Sequence, residues 1–365
     1  MERRKNCPDV HPGKSCNYNL FHVGSTPMMR RFLAKLLLLS FFTFSSFSYA
    51  NSVKITHIEA GYTRASYNDE IICLVRSQSP SVLVLNKNGK TISNITVGLS
   101  YPVSAIYKAG MVFISDYYKS SVMVYTMFGR FVKRIDVGSH PTTIKSFDGK
   151  IYVSCSKDSS VYEIDYQTLL VRKKYSFKSA SPYFEVLDDK LVYLYFFDSD
   201  KSYEIVSENR VEVKVDNLKN PVKYIEKNGV SFLLGYTDGM LVCLKNNREM
   251  WRINLPDFAR DMVLTENYIV VTSLLEPIAS LITYTGEIAQ KIILPNVSHR
   301  VLNMKEKLVF LNHLPGEVYI VDPEENSIET INVGTYALEM FKISESEVVV
   351  LCSDSGELYF INLGE

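Results

Sequence analysis

The sequence lacks the common signatures of catalysis. It has no Gly-x-Ser-x-Gly elbow, no phosphate-binding glycine loop, no His-Glu-x-x-His and no Cys-x-x-Cys, so four large enzyme classes are without their motif. A surplus of one charge is also missing. Forty Lys/Arg balance forty Asp/Glu, and no basic stripe with interleaved aromatics occurs, which argues against a nucleic-acid partner. Glycine and proline are scarce, 17 and 13 residues, against 46% hydrophobic residues. That composition excludes a low-complexity chain and supplies enough apolar surface for a large core.

Long hydrophobic runs are missing too. The one extended apolar stretch is LLLLSFFTFSSF, Leu36 to Phe47, short of the roughly 20 residues that a membrane-spanning helix needs. Arg30, Arg31 and Lys35 precede it, and Ser48-Tyr49-Ala50 follows it. A basic region, an apolar region and a small-residue site in that order predict a secretory signal over 28–50, cleaved near Ala50. The expected start is Met28 or Met29, and 1–27 reads as a non-native or disordered extension. Residues 1–50 hold seven Lys/Arg and two Asp/Glu, leaving 33 basic against 38 acidic residues beyond them. The expected mature protein, 51–365, is therefore mildly acidic, periplasmic or secreted, with no stable membrane span once the signal is removed.

From residue 51 onward the pattern is all-β. Apolar runs of four to seven residues, rich in Val, Ile, Tyr and Phe, alternate with turn signals such as Asn88-Gly89, Asp148-Gly149 and Asp238-Gly239. The runs recur with a fixed period. Pro102, Pro141, Pro182 and Pro221 stand about 40 apart, Ser-Val recurs at 81, 121 and 160, and Val-Gly at 97, 137 and 333. Four strands per period of about 40 predict a β-propeller. Eight units fit, starting near Gly61, Gly98, Gly138, Lys178, Asn217, Pro256, Pro295 and Gly334; seven is the alternative count. The last unit ends after three strands at ELYFINLGE. The mature N-terminal strand, SVKITHIEAG, is expected to supply the fourth and to close the ring, which removes an exposed edge.

VGxxPxxI…GKIYVSxSxxSSVxxID in the third unit and VGLSYPVSAIYKAGMVFISDYYKSSVMVY in the second resemble the YVTN and NHL class of propeller repeats. The resemblance implies an exported propeller used for binding or scaffolding, with enzymes as a minority on the same frame; fold does not fix function. Quinoprotein and WD-type propellers repeat a tryptophan motif that one Trp251 cannot provide, and CSDSGELYF is a superficial echo of a sialidase box. No cofactor is expected. The alternative to a non-catalytic scaffold is a calcium-dependent, lactonase-like hydrolase at the tunnel mouth, for which Asp261, Asn303 and Glu339 lie on predicted inner strands.

Cys73, Cys155, Cys243 and Cys352 fall within apolar strand patterns and are expected to be free buried thiols. Cys73 and Cys352, in blades made adjacent by closure, are assigned equal parity and so should not face each other. Cys7, His11, Cys16 and His22 match no zinc spacing. Sequons at Asn94 and Asn296 are read as chance.

In a propeller the connections into the innermost strands gather on one face around the channel. Arg64, Tyr101, His140, Arg260, His299 and Arg300 occupy those positions and are the predicted ligand-binding residues, suited to a small anion or an acidic protein segment. The competing expectation is that they are solvated or paired with Asp158, Asp198, Asp261 and Asp354.

Overall fold

A computed structural model of the chain describes residues 51–364 apart from 189, 199 and 208. The expected extension (1–27) and signal (28–50) lie outside the described residues. Thirty-two strands form eight four-stranded antiparallel sheets, with no helix among the described residues. Inner strands of consecutive sheets pack side by side, and the last, Ala337–Lys342, packs on the first, Arg64–Asn68. The fold is an eight-bladed β-propeller.

Closure occurs as the sequence requires. Ser52–His57 pairs antiparallel with Glu357–Asn362 and forms the outer strand of blade 8. Because Ser52 lies opposite Asn362, both ends of the described chain sit on the face away from the inbound loops.

Burial follows position within a blade. Second and third strands, such as Ile71–Arg76 and Ser81–Asn86, are sandwiched between neighbouring blades and buried on both faces, so they read as continuous apolar runs rather than alternating ones. Outer strands such as Phe131–Asp136 and Ser327–Asn332 are largely exposed. The core is accordingly divided into eight clusters, one at each blade–blade interface. Each fully buried Val, Leu or Ile contributes about 1.5–3 kcal/mol. Trp251 belongs to this framework. Its indole N–H donates to the Tyr284 carbonyl at 3.1 Å, and its ring lies against Gly286, where a Cβ would come within 2.7 Å of it.

All four cysteines of the described residues are free and buried. Burial pushes the thiols of Cys73, Cys155 and Cys352 up to about 12. The expected equal parity is corrected: Cys73 is the third residue of Ile71–Arg76, and Cys352 the sixth of Glu347–Cys352. Cys73 therefore points toward blade 2 and Cys352 toward blade 7, away from their common interface.

Candidate functional site

Most inner strands begin at the channel mouth with a related local geometry. The residue just before the strand is left-handed in four blades, at His140, Asn220, Phe258 and Tyr336 (φ 51–57°). Its carbonyl accepts a hydrogen bond from the loop between the second and third strands: Ser156 N donates to His140 O at 3.0 Å, Leu274 N to Phe258 O at 3.0 Å, and Ser353 N to Tyr336 O at 2.9 Å. A register shift follows at once in five blades, between Pro102 and Ser104, Pro141 and Ile144, Pro221 and Lys223, Ala259 and Asp261, and Ala337 and Glu339. Such a bulge redirects one side chain. In blade 6 that side chain is Arg260.

At the first or third residue of each inner strand stand Arg64, Ser104, Thr143, Phe184, Lys223, Asp261, Arg300 and Glu339, spaced 38 to 41 residues apart. From blade 5 to blade 1 this layer alternates in sign. Lys223 Nζ lies 3.0 Å from Asp261 Oδ1, Arg300 2.7 Å from Glu339 Oε2, and Arg64 2.9 Å from Glu339 Oε1. Asp261 also accepts the backbone N–H of Met262 at 3.0 Å and of Val301 at 3.1 Å. Burial would raise its pKa, but Lys223 and Arg300 outweigh that and hold the carboxyl below its ordinary value.

Arg260 stands outside this alternation. It donates to the Tyr183 hydroxyl at 3.2 Å, two blades round the ring, and forms no salt bridge among the described residues. Arg64, Arg260, His299 and Arg300 line one depression of about 380 Å³ with Thr63, Leu274, His313 and Leu338. His299 Nε2 donates to the Leu338 carbonyl at 3.2 Å, and its ring lies 5.2 Å from that of His313. Burial, with Arg300 and His313 adding to it, brings its pKa down to about 4, so the imidazole is neutral near pH 7. The Nδ1 of His299 and the Nε of Arg300 are buried without a partner. Three guanidinium groups therefore line one concave site built from blades 6, 7, 8 and 1, and two of them, Arg64 and Arg300, share the carboxylate of Glu339.

Four of the six predicted residues are thus brought together, and two are not. Tyr101 and His140 belong to a separate aromatic group on blades 2 and 3, where the His140 ring stacks on Tyr117 at 4.2 Å and Tyr118 lies 5.1 Å from Tyr101. The expected acidic partners are corrected as well. Asp158 binds the Ser139 N–H, and Asp198 binds the Ser179 hydroxyl and two backbone N–H groups of its own loop. These carboxylates hold loops, and among the described residues none of Asp158, Asp198 and Asp354 pairs with an arginine; Glu339 pairs with Arg64 and Arg300, and Asp261, the fourth expected partner, binds Lys223 and acts on Arg300 through its charge. Tyr183, Lys223 and His313 were not anticipated. The signal for Lys223 was the 39-residue period itself, which aligns it with Asp261 and Arg300.

Asp261, Asn303 and Glu339 all lie on inner strands, as expected. Asn303 Nδ2 donates to the Leu264 carbonyl at 3.0 Å. Among the described residues no group of three or more His, Cys, Asp or Glu is placed to hold a metal ion.

No protein-family model and no curated protein matches the chain. Similarity to solved structures is extensive in shape and slight in sequence. The computationally designed Ika8 protein superposes with a TM-score of 0.69 at 10% identity over 84% of this chain and 97% of its own. BamB from Moraxella catarrhalis gives 0.64 at 10% identity over 85% and 98%. The dihydro-heme d1 dehydrogenase NirN, solved in complex with DHE, gives 0.63 at 13% identity over 76% and 67%. A designed protein and a dehydrogenase share this frame, so the likeness speaks for the fold alone.

Proposed function

We propose that the protein is a non-catalytic binding or assembly scaffold whose channel mouth, over blades 6, 7, 8 and 1, takes an anionic ligand or an acidic segment of a partner protein. The observation that carries this reading is the gathering of Arg64, Arg260 and Arg300 in one recess, where Arg64 and Arg300 share Glu339 and Arg260 has no salt bridge among the described residues. Guanidinium groups in a recess bind carboxylate or phosphate bidentately, and the recess limits competition from water. The calcium-dependent hydrolase is disfavoured on the same ground: Asp261 and Glu339 are held by Lys223, Arg64 and Arg300, which opposes a divalent cation. We read the repeats as of the YVTN and NHL class, on the residues of units two and three, and the protein as exported to the periplasm or beyond. With both ends of the described chain on the opposite face, the mouth is clear of them.

The test is titration of purified protein with phosphate, citrate and a polyglutamate peptide by calorimetry. Arg260→Ala removes an arginine that, among the described residues, is bonded to the Tyr183 hydroxyl alone, so the fold should persist while affinity falls by roughly tenfold and its salt dependence weakens. Replacing Arg300 as well costs stability, because it strips a partly buried partner from Glu339, so the single variant is the cleaner probe. Absence of binding by all three anions to the wild type at low salt, or equal binding by Arg260→Ala, rejects the reading.

A further inference from the structure

The apolar residues exposed in loops are not distributed evenly between the two faces. Large hydrophobic residues exposed on strands lie on the outer strands, where a propeller rim normally shows some. Those exposed in loops, among the described residues, are Val97, Tyr118, Phe197, Leu275, Leu314 and Tyr336 on the mouth face, against Phe128 on the other. Tyr118 is 66% exposed and Phe197 77%. The backbone bonds that join inbound loops to second-to-third-strand loops place these residues around one opening. Behind them stand fixed aromatic groups, Tyr101 with Tyr117 and His140 on blades 2 and 3, and Tyr183 with Phe196 and Tyr236 on blades 4 and 5. Tyr118 and Phe197, on blades 2 and 4, face blades 6 and 8 across the ring, and Leu275, Leu314 and Tyr336 stand on the arginine side, so an apolar collar rims the mouth that holds the arginine pocket.

We infer that the occupant of this face is an extended polypeptide segment with acidic residues next to aromatic or aliphatic ones, its carboxylates in the arginine pocket and its apolar side chains on the collar. The inference rests on the reading of the mouth as an anion site and names its ligand class. Charge complementarity selects the acidic part. The collar selects the rest: Leu275 and Leu314, in the loops beside the arginines, offer nothing to a hydroxylated sugar but cover an apolar side chain well, and exposed aromatics are the usual anchors of protein recognition. An anionic bilayer is a poorer match, because Arg300 and Glu339 are recessed, with side chains 29% and 12% exposed, and residues 51 to 365 carry more acid than base.

Fluorescence anisotropy with labelled peptides tests this. The probes are Glu-Glu-Glu-Glu-Pro-Phe-Ser-Phe-Pro-Leu and the same peptide with Phe and Leu replaced by Ser, alongside sedimentation with phosphatidylglycerol vesicles. The expected result is that the acidic-aromatic peptide binds about tenfold tighter than the serine version. Tyr118→Ser with Phe197→Ser, both exposed and so neutral to folding, should remove that advantage, and Arg260→Ala should weaken both peptides. Equal binding of the two peptides, sensitive to Arg260→Ala and indifferent to the collar variant, overturns the polypeptide inference and leaves the anion site standing. Binding of neither peptide at low salt overturns both. Vesicle binding that is lost in the collar variant, with no preference for the aromatic peptide, assigns the collar to a lipid surface and also overturns the inference.

Discussion

Blades 1 to 3 and blades 5 to 8 repeat the same architecture but are tied to their neighbours by different chemistry. In the first arc the ties are hydroxyl to carbonyl. Ser66 donates to the Ala105 carbonyl at 2.7 Å, Ser115 to that of Thr142 at 2.8 Å, and Thr143 to that of Pro182 at 3.1 Å. Two ion pairs also cross blades in this arc, Lys108–Asp69 and Lys145–Glu185 at 2.6 Å, but each sets one cation on one carboxylate, farther along the strands than the hydroxyl ties. In the second arc the corresponding ties are Lys223–Asp261, Arg300–Glu339 and Arg64–Glu339. Neutral ties can be fully satisfied and leave nothing for a ligand. The charged ties share carboxylates among more cations than they can neutralise, and the surplus collects at the mouth.

The largest expected effect that would break this contrast is at Asp261. Its carboxylate is 5% exposed as a residue and accepts from Lys223, Met262 and Val301. Asp261→Ala leaves two amides unsatisfied and Lys223 facing Arg300 without the acid between them, for a loss of about 3–5 kcal/mol in urea unfolding. A loss under 1 kcal/mol would show that the charged arc is mere decoration of the channel.

Next comes pH. The fold holds His299 neutral, with a pKa of about 4 against an ordinary 6.5, so the unfolded chain takes up the proton first as pH falls. Stability from this site is complete above about pH 6.5, is lost as pH drops toward 4, and amounts to on the order of 3 kcal/mol. The groups facing it are Arg300, His313 and Glu339. His299→Gln should flatten the stability curve across pH 4–6.5, as read by denaturant midpoints. Asp261, held below its ordinary value, loses its share only at still lower pH, which keeps the two contributions apart.

The smallest effect belongs to the neutral arc. Ser115 is fully buried, and besides donating to Thr142 it accepts the Ser104 N–H at 3.1 Å. Ser115→Ala should cost about 1–3 kcal/mol by urea unfolding and leave anion binding at the mouth unchanged, since no charge is moved. Altered affinity would mean that the arcs are coupled.

Much of the frame was legible. Burial of the middle strands on both faces forces runs such as IICLV and SVLVL, and the Asn-Gly and Asp-Gly turns mark where each hairpin reverses. The neutral arc was the easier half to read, because hydroxyl ties leave the Val-Gly and Pro punctuation of units two and three undisturbed. In blades 5 to 7 the glycine is gone and the rhythm alone remained, so Lys223 went unnoticed, and Glu339, in the unit that keeps Gly334, was weighed as a metal ligand rather than as the partner of two arginines. The cysteine parity failed by a boundary error of one residue, which inverts the facing of a strand residue.

The sequence by itself determined the strand rhythm, the number of blades and the closing role of Ser52–His57, because hydrophobic burial with a 39-residue period has one economical solution. It placed the arginines on one face by the same period. Which of them meet, and what neutralises them, was decided only by the tertiary structure. A bulge one residue into the inner strand turns Arg260 toward Tyr183 two blades away, and curvature of the ring sets Glu339 between Arg64 and Arg300, residues 275 and 39 positions distant. Contacts at that separation depend on the radius of a closed ring, a quantity no local pattern encodes.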